Sequence, residues 1–442
     1  MPKKAWIVAV SMGYGHERAA YGLKELAQGG EYILANEYPG IPKSEREGWI
    51  RGRKGYETIS RFKSTPLIGS YIFEIFDKLQ EIPLFYPRRD LSEPNIQLKS
   101  VYRDIEKNGV GRHLVEKLSK HPLPFISTFF VPAFAAEVYN YPGDIYLVIC
   151  DADMSRTWAP LNPKKSRIKY FAPNGRVVER LKLYGVPEER IYFTGFPLPK
   201  ELIGGERGRI VKDNIAHRIF NLDPQKIFTK QNEATLHRHF GRHHFPTAQK
   251  HPLTLTFAVG GAGAQQSLGV EILESLREKI SKHEIRLNLV AGIRRDVSRA
   301  FHEAVNTLKL HRELGTWIRV LATPSRHEYF AAFTHLLHDT DLLWTKPSEL
   351  SFYTGLGIPI ITAPPVGSQE EFNRVWLKMV GGGVTQNDPR YTHEWLFDWV
   401  KSGGLARMAW NGYIEAPTHG AYRIESIITG QPINLAKLPL IV

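Results

Sequence analysis

Cysteine is almost absent from this chain of 442 residues: Cys150 stands alone. A single thiol makes no intramolecular disulfide and excludes zinc sites built from several cysteines. Cys150 ends the apolar run Ile145–Cys150, where a buried, inert thiol is expected. No apolar run reaches the length needed to span a bilayer as a helix. The N-terminal MPKKAWIVAVSMGYGH places a brief apolar run after two lysines. It passes straight into a glycine turn without a cleavage-type pattern, so it reads as a first strand rather than a leader. Acidic residues are in deficit, 45 Asp and Glu against 58 Lys and Arg, for a formal net charge of +13. That balance favours an anionic partner: nucleic acid, an anionic membrane surface or a phosphorylated substrate. Nucleic acid is the least favoured, because the basic residues are dispersed and no recognition motif occurs. The expected location is cytoplasmic, peripheral on the inner face of the membrane.

Hydrophobic residues make up 42% of the chain, enough for two cores and too many for wholesale disorder. The length exceeds one typical core, so two domains are expected. No short repeat is visible, but both halves carry the same β-α pattern. Ala5–Met12 is a continuous apolar strand, Gly13-Tyr14-Gly15-His16 a turn, and His16 to about Gln28 a helix with Ala19, Ala20, Leu23 and Leu26 on one face. Tyr32–Tyr38 follows as a second strand. This β-α-β opening predicts a doubly wound domain. Strands at Phe125–Phe130, Ile145–Asp151, Arg167–Ala172 and Ile191–Thr194 complete it. A second domain opens with LTLTFAV from Leu253. Strands Ile285–Ala291, Trp317–Ala322 and Leu342–Trp344 alternate with helices, and the last strand is Ile358–Ile361. The chain then reads helical from about Thr392 to Gly430. The expected organisation is residues 1–199, a basic linker or excursion at 200–250, and 251–442 with its last helices crossing back.

Residues 40–108 interrupt the first domain with mixed aromatic and basic side chains, among them Trp49, Arg51, Tyr56 and Phe62, then an apolar helix-like piece at Leu67–Leu79. Such a composition suits a helical subdomain packed on the sheet or a surface that meets lipid. In RHFGRHHF, His239, His243 and His244 cluster without a nearby acid or cysteine at ligand spacing, so a solvated excursion is expected rather than a metal site.

Two strand-to-helix turns are glycine-rich, GYGH near residue 15 and GGAGAQ near residue 262. Glycine lets backbone approach a ligand closely, and a helix N-terminus offers free N–H groups and partial positive charge, suited to phosphate. Either turn alone is equally explained by tight helix–strand packing. GGAGAQ lacks the six-residue dinucleotide fingerprint and the lysine of a phosphate-binding loop. His16, at a helix start, is a candidate proton acceptor, although a capping histidine is the commoner case. Asp151-Ala152-Asp153 closes a strand. Its Asp-x-Asp spacing occurs in metal-dependent sugar transferases, but here the pair is expected to line the site and no metal is assigned. Thr345–Asn373 reads as a strand end, a turn, a short helix, a strand, a proline-rich turn and a helix start. It gathers polar groups at the carboxyl ends of two consecutive strands, where open α/β sheets bind ligands.

The set GYGHERAA, TFFVPAFAAE, ICDADMSRTW, TGFPLP, VGGAGAQQ, TKPSELSFYTGLGIPII and GSQEEFN resembles the GT-B glycosyltransferases. Most similar are the diacylglycerol glycosyltransferases (monogalactosyl- and glucosyl-lipid synthases) and the N-acetylglucosaminyltransferase of peptidoglycan's lipid precursor. The motifs are short, but they fall in order across both halves, leaving 40–108 and 200–250 unmatched. The resemblance implies an α/β fold of two Rossmann-like doubly wound domains facing a cleft. It also implies a UDP-sugar donor, a lipid or lipid-linked acceptor, and transfer without a cofactor or metal. In such enzymes the glycine turn of the second domain meets the donor diphosphate, which here means Gly260, Gly261, Gly263 and Gln265. Lys346 and Ser348 join that donor set. Glu349 is the counterpart of the ribose ligand, and Gln369, Glu370 and Asn373 of the residues facing the donor sugar. Gly13, Gly15 and His16 match the N-terminal glycine loop, implicated in acceptor handling or as the base, and Asp151 is the second catalytic candidate. Two departures stand out. Glu349 follows Lys346 after a shorter turn than the family's, and Pro199-Lys200 stands where an arginine commonly ends the Gly-x-Pro motif. A nucleotide-sugar epimerase of the same architecture, using Asp151 and Asp153, is one alternative. A non-catalytic GT-B protein that binds a nucleotide-sugar or a partner is another.

Overall fold

A computed structural model describes residues 4–49, 81–241, 245–261, 263, 265–365 and 367–435. The apolar face expected at Leu67–Leu79, and His243 and His244, lie outside them. The chain divides into two compact units: Met1–Leu198 with Val366–Asn373 and His419–Val442, and Pro199–Pro365 with Arg374–Thr418. Each unit is an α/β, Rossmann-like layer structure built on a six-stranded parallel sheet.

The first sheet comprises β1 (Trp6–Ala9), β2 (Ile33–Leu34), β3 (Phe125–Ser127), β4 (Ile145–Val148), β5 (Lys169–Ala172) and β6 (Ile191–Phe193). Their order is β2-β1-β3-β4-β5-β6. After β2 the chain returns across β1 to place β3 on its other side, so the topological switch point lies between β1 and β3. β3 and β4 are buried along their full length. That explains why they read as unbroken apolar runs: helices cover both faces of a parallel sheet. The core joins Val8, Phe125, Leu147 and Tyr170 to Phe134 of the helix Phe130–Val138 and Leu181 of the helix Gly175–Leu183. The helix Gly420–Thr429 belongs to this unit, and a Cβ on Gly420 would collide with the backbone of Gly195 and Phe196. Only glycine admits that approach.

The second sheet comprises β7 (Thr254–Ala258), β8 (Arg286–Gly292), β9 (Ile318–Ala322), β10 (Leu342–Thr345), β11 (Ile360–Thr362) and β12 (Gly383–Thr385), ordered β12-β11-β10-β7-β8-β9. Here the switch point falls between β7 and β10. Leu255, Phe257, Leu289 and Trp344 form the centre of its core.

The structure departs from the sequence reading at the last strand and at residues 200–250. Ile360–Thr362 is not the last strand, because β12 pairs with it at the sheet edge. β12 is three half-buried residues, too short to show a period. Residues 200–250 are not a bare linker: helices span Arg209–Leu222, Ile227–Gln231 and Glu233–Phe240. Ile215, Ile219, Leu222, Phe228 and Leu236 from them enter the second core. Their helical spacing was masked by the interleaved Lys, Arg and His. Within 40–108, Ile96–Asn108 is a helix capped by the Asn95 side chain, which accepts from the Leu98 N–H at 2.8 Å.

Candidate functional site

The residues that the sequence singled out as candidates divide between the two units. In the first unit, the turn after β1 carries Gly13 at φ +109°, a conformation that disfavours any side chain. It leads into the helix Gly15–Gly22 with His16 in its first turn. The His16 ring is half-buried, with Phe129 edge-on at 4.9 Å and Trp158 at 5.9 Å between centroids. Its Nδ1 lies 2.8 Å from the Thr128 carbonyl at the end of β3. A carbonyl only accepts, so Nδ1 carries the proton, and in the neutral form of the ring Nε2 is the basic nitrogen. The switch point thus sets both the orientation and the tautomer of His16. The Thr128 contribution is a backbone oxygen, which no side-chain pattern in the sequence signals.

Further along the same edge, the residues after β4 are held by two asparagines. The Ala152 N–H donates to Asn373 Oδ1 at 2.7 Å, and Asn373 Nδ2 donates to Asp151 Oδ1 at 2.9 Å. Asn174 Nδ2 donates to the Ala152 carbonyl at 3.0 Å, while its Oδ1 caps the helix Gly175–Leu183. Asn373, expected to face the donor sugar, is only 1% exposed and belongs to the first unit. Its amide orients the Asp151 carboxylate. Gln369 and Glu370 are half-buried in the first turns of the helix Ser368–Met379.

Asp153 does not line the site. At 1% exposure it accepts from Arg180 Nε and Nη2, both at 2.8 Å, and from Arg176 Nε at 3.0 Å. Arg180 is itself fully buried. The two aspartates of the Asp-x-Asp motif therefore differ in their partners: Asp151 accepts from Asn373, and Asp153 from two arginines. Cys150 is buried, with Sγ 3.6 Å from the Thr128 carbonyl, as a core thiol.

In the second unit, β7 runs into Gly260, Gly261, Gly263 and Gln265 and then the helix Gln266–Ser275. Lys346, just beyond β10, lies across this turn: a Cβ on Gly260 would sit 3.0 Å from Lys346 Cε. Gly263, at φ +75°, has the Arg294 guanidinium 3.2 Å from where its Cβ would be. Arg294 pairs through two nitrogens with Asp296 at 3.0 and 2.7 Å, and that pairing holds the Asp296 carboxyl down to about 2. Two cations therefore flank a glycine turn at a helix N-terminus. Arg294 follows β8 and was missed in the sequence, where nothing shows that β8 lies beside β7. Among the described residues, the buried Gln265 Oε1 has no hydrogen-bond partner. A buried acceptor without a donor marks a place for one. Ser348 caps the 3-10 helix Glu349–Leu356 by accepting from the Leu350 N–H at 3.4 Å, and Glu349 is buried at its start. Thr345 Oγ1 donates to the Ala258 carbonyl at 3.2 Å, tying the ends of β10 and β7.

His239 lies apart from either switch point, with Nε2 2.9 Å from the Tyr413 hydroxyl and its ring against Trp410. Among the described residues, no three His, Cys, Asp or Glu side chains are grouped to hold a metal ion, and no helix is long and apolar enough to cross a membrane.

Residues 242–422 match the family model of a domain of unknown function, DUF6938. No curated protein matches the chain. Among solved structures, a putative UDP-N-acetylglucosamine 2-epimerase from Listeria monocytogenes is similar at 12% identity and TM-score 0.49, over 99% of this chain and 100% of that one. The UDP-GlcNAc 2-epimerase from Neisseria meningitidis bound to UDP-GlcNAc is similar at 12% identity and TM-score 0.45, over 77% and 84% of the two chains. WaaG, a glycosyltransferase involved in lipopolysaccharide biosynthesis, is similar at 15% identity and TM-score 0.37, over 72% and 81%.

Proposed function

We propose that this protein is a GT-B glycosyltransferase that moves a sugar from a UDP-sugar to a lipid or lipid-linked acceptor. The observation that carries the reading is the second switch point. There a glycine turn opens a helix and is flanked by Lys346 and Arg294. A diphosphate suits this setting: backbone N–H groups and two cations stabilise the negative charge that builds on a leaving nucleoside diphosphate. The orphaned Gln265 Oε1 suits a hydroxyl donor from the ribose or sugar. In the first unit, His16 fits the other half of the reaction. Its Nδ1 proton is held by Thr128, which leaves Nε2 as the basic nitrogen to take the acceptor hydroxyl's proton as that oxygen attacks the anomeric carbon. Gly13 and Gly15 shape the loop that presents it, and Ser348 and Glu349 begin the 3-10 helix that follows β10 and Lys346.

A second reading, epimerisation of a nucleotide-sugar, draws on Asp151, whose carboxylate is oriented by Asn373. The involvement of Asp153 with two arginines weakens it, since that chemistry is better served by two available carboxylates. UDP release separates the readings. Release only when a lipid acceptor is added supports transfer; conversion of UDP-GlcNAc without acceptor supports epimerisation. UDP-sugar binding with neither reaction would leave a non-catalytic binding protein. No effect of UDP or UDP-sugars on the melting temperature would remove the donor assignment.

A further inference from the structure

Arg294, one of the two cations at the second unit's glycine turn, is held there by a carboxylate to which the proposed chemistry gives no part. Its Nε donates to Asp296 Oδ1 at 3.0 Å and its Nη2 to Asp296 Oδ2 at 2.7 Å. A planar fork bonded at two nitrogens has one orientation, whereas an unpaired arginine samples many rotamers. That orientation is against the turn: Cζ and Nη2 lie 3.2 Å from where a Cβ on Gly263 would stand. Asp296 is itself fixed. It lies in the first turn of the helix Arg295–Thr307, where helix N–H groups favour a carboxylate. The next residue, Val297, is fully buried, and its Cγ2 is 3.5 Å from the same point on Gly263. The Arg294 N–H donates to the Ala291 carbonyl at 3.2 Å, and the Ser298 N–H donates to the Arg294 carbonyl at 3.0 Å. Support therefore runs from the buried helix start to Asp296, from Asp296 to Arg294, and from Arg294 to the glycine turn. Folding stability accounts for this poorly. The Asp296 side chain is 61% exposed, and ion pairs so open to solvent add little to stability.

We propose that Asp296 is a positioning residue for the donor diphosphate, fixing the Arg294 guanidinium at the turn before the nucleotide arrives. The inference rests on the reading that places the diphosphate at this turn, and deepens it. Two effects of Asp296 on an anion oppose each other. As a charge it repels a diphosphate, so its removal would tighten binding. As a support it spares the ligand the entropy of ordering a long cation, so its removal weakens binding. Support outweighs repulsion here, because the carboxylate is open to screening by solvent while its two bonds decide where the guanidinium sits.

The test is isothermal calorimetry of UDP binding to the full chain, arranged as a double-mutant cycle. Arg294→Ala should weaken binding. Asp296→Asn should weaken it about tenfold, the lower end of what a charge-assisted hydrogen bond contributes, with the melting temperature unchanged. In the Arg294→Ala background, Asp296→Asn should cause no further loss, because its effect passes through the arginine. Unchanged or tighter binding by Asp296→Asn alone would overturn the proposal. So would an equal loss in both backgrounds, which would mark a support of the helix start only. Arg295→Ser removes an exposed neighbouring charge and should keep wild-type affinity; a loss equal to that of Arg294→Ala would reduce the effect to net charge and overturn the proposal too. If Arg294→Ala binds UDP as wild type does, the diphosphate is not at this turn and the donor placement falls with the inference. A loss by Arg294→Ala with none by Asp296→Asn sinks the inference and leaves that placement standing.

Discussion

Replacing Asp153 with asparagine separates structural from chemical use of the strand-end aspartates. In the structure three charge-assisted hydrogen bonds converge on this carboxylate, from a fully buried Arg180 and from Arg176. An asparagine can accept at one oxygen, but its amide turns donors toward the guanidinium donors. Arg180 is then left buried without a counter-charge. Breaking one partner of a buried pair costs about 3–5 kcal/mol. For a unit of this size, that corresponds to a melting point lower by about 10 °C. The loss should also loosen Phe85, whose ring the same arginines hold. Thermal and urea unfolding followed by circular dichroism would read the effect. Asp153→Leu with Arg180→Met should recover most of the loss, because an apolar pair of similar volume replaces a buried ion pair at little cost. A melting point within about 1 °C of wild type for Asp153→Asn, together with lost turnover, would refute the argument and return Asp153 to the chemistry.

Other consequences can be checked directly. His16→Ala should lower turnover at least about 100-fold, the usual contribution of a positioned base, with UDP affinity unchanged; equal loss of both would point to a structural role. Gly260→Val should push Lys346 from the glycine turn, because even a Cβ there lies 3.0 Å from Lys346 Cε. UDP affinity should fall while the melting temperature moves little, since a flexible side-chain end yields; isothermal calorimetry with UDP reads this. Asp341 is fully buried in the second unit beside His251, and burial pushes its carboxyl up to about 6. The folded state then binds more protons than the unfolded one between the ordinary carboxylate value and about 6. This group's contribution to stability is therefore full at the acid end and is lost as pH rises through that window. The loss amounts to about 3 kcal/mol by linkage. Asp341→Asn should flatten that part of the stability–pH curve, and an unchanged slope in urea titrations between pH 4 and about 6 would contradict the assignment.

Much of the fold was legible because parallel sheets leave long-range imprints in local sequence. Strands buried on both faces show as apolar runs such as Ile145–Val148, and glycine turns mark where strands give way to helices. The helix Arg209–Leu222 and strand β12 were not legible. In the first, charged residues interrupt the apolar period; in the second, three half-buried residues have no period to read. The glycine turns and His16 were picked out correctly as strand-end features. Arg294 was not, since its place beside Gly263 depends on β8 lying next to β7.

Composition and motif order alone determined the class of this protein. They showed two α/β halves, each with a glycine-rich strand-to-helix turn, and a basic surface charge. Only tertiary structure decided which polar residues do what. Asp151 and Asp153 are two positions apart and chemically identical. One is oriented by an asparagine 222 residues away in sequence, and the other is held by two arginines in the interior. Sheet order, which no local pattern encodes, brings Thr128 to His16 and Lys346 to Gly260. The physical reason is that a side chain's role follows from its neighbours' charge and burial, and those neighbours come from remote segments that meet only when the sheets form.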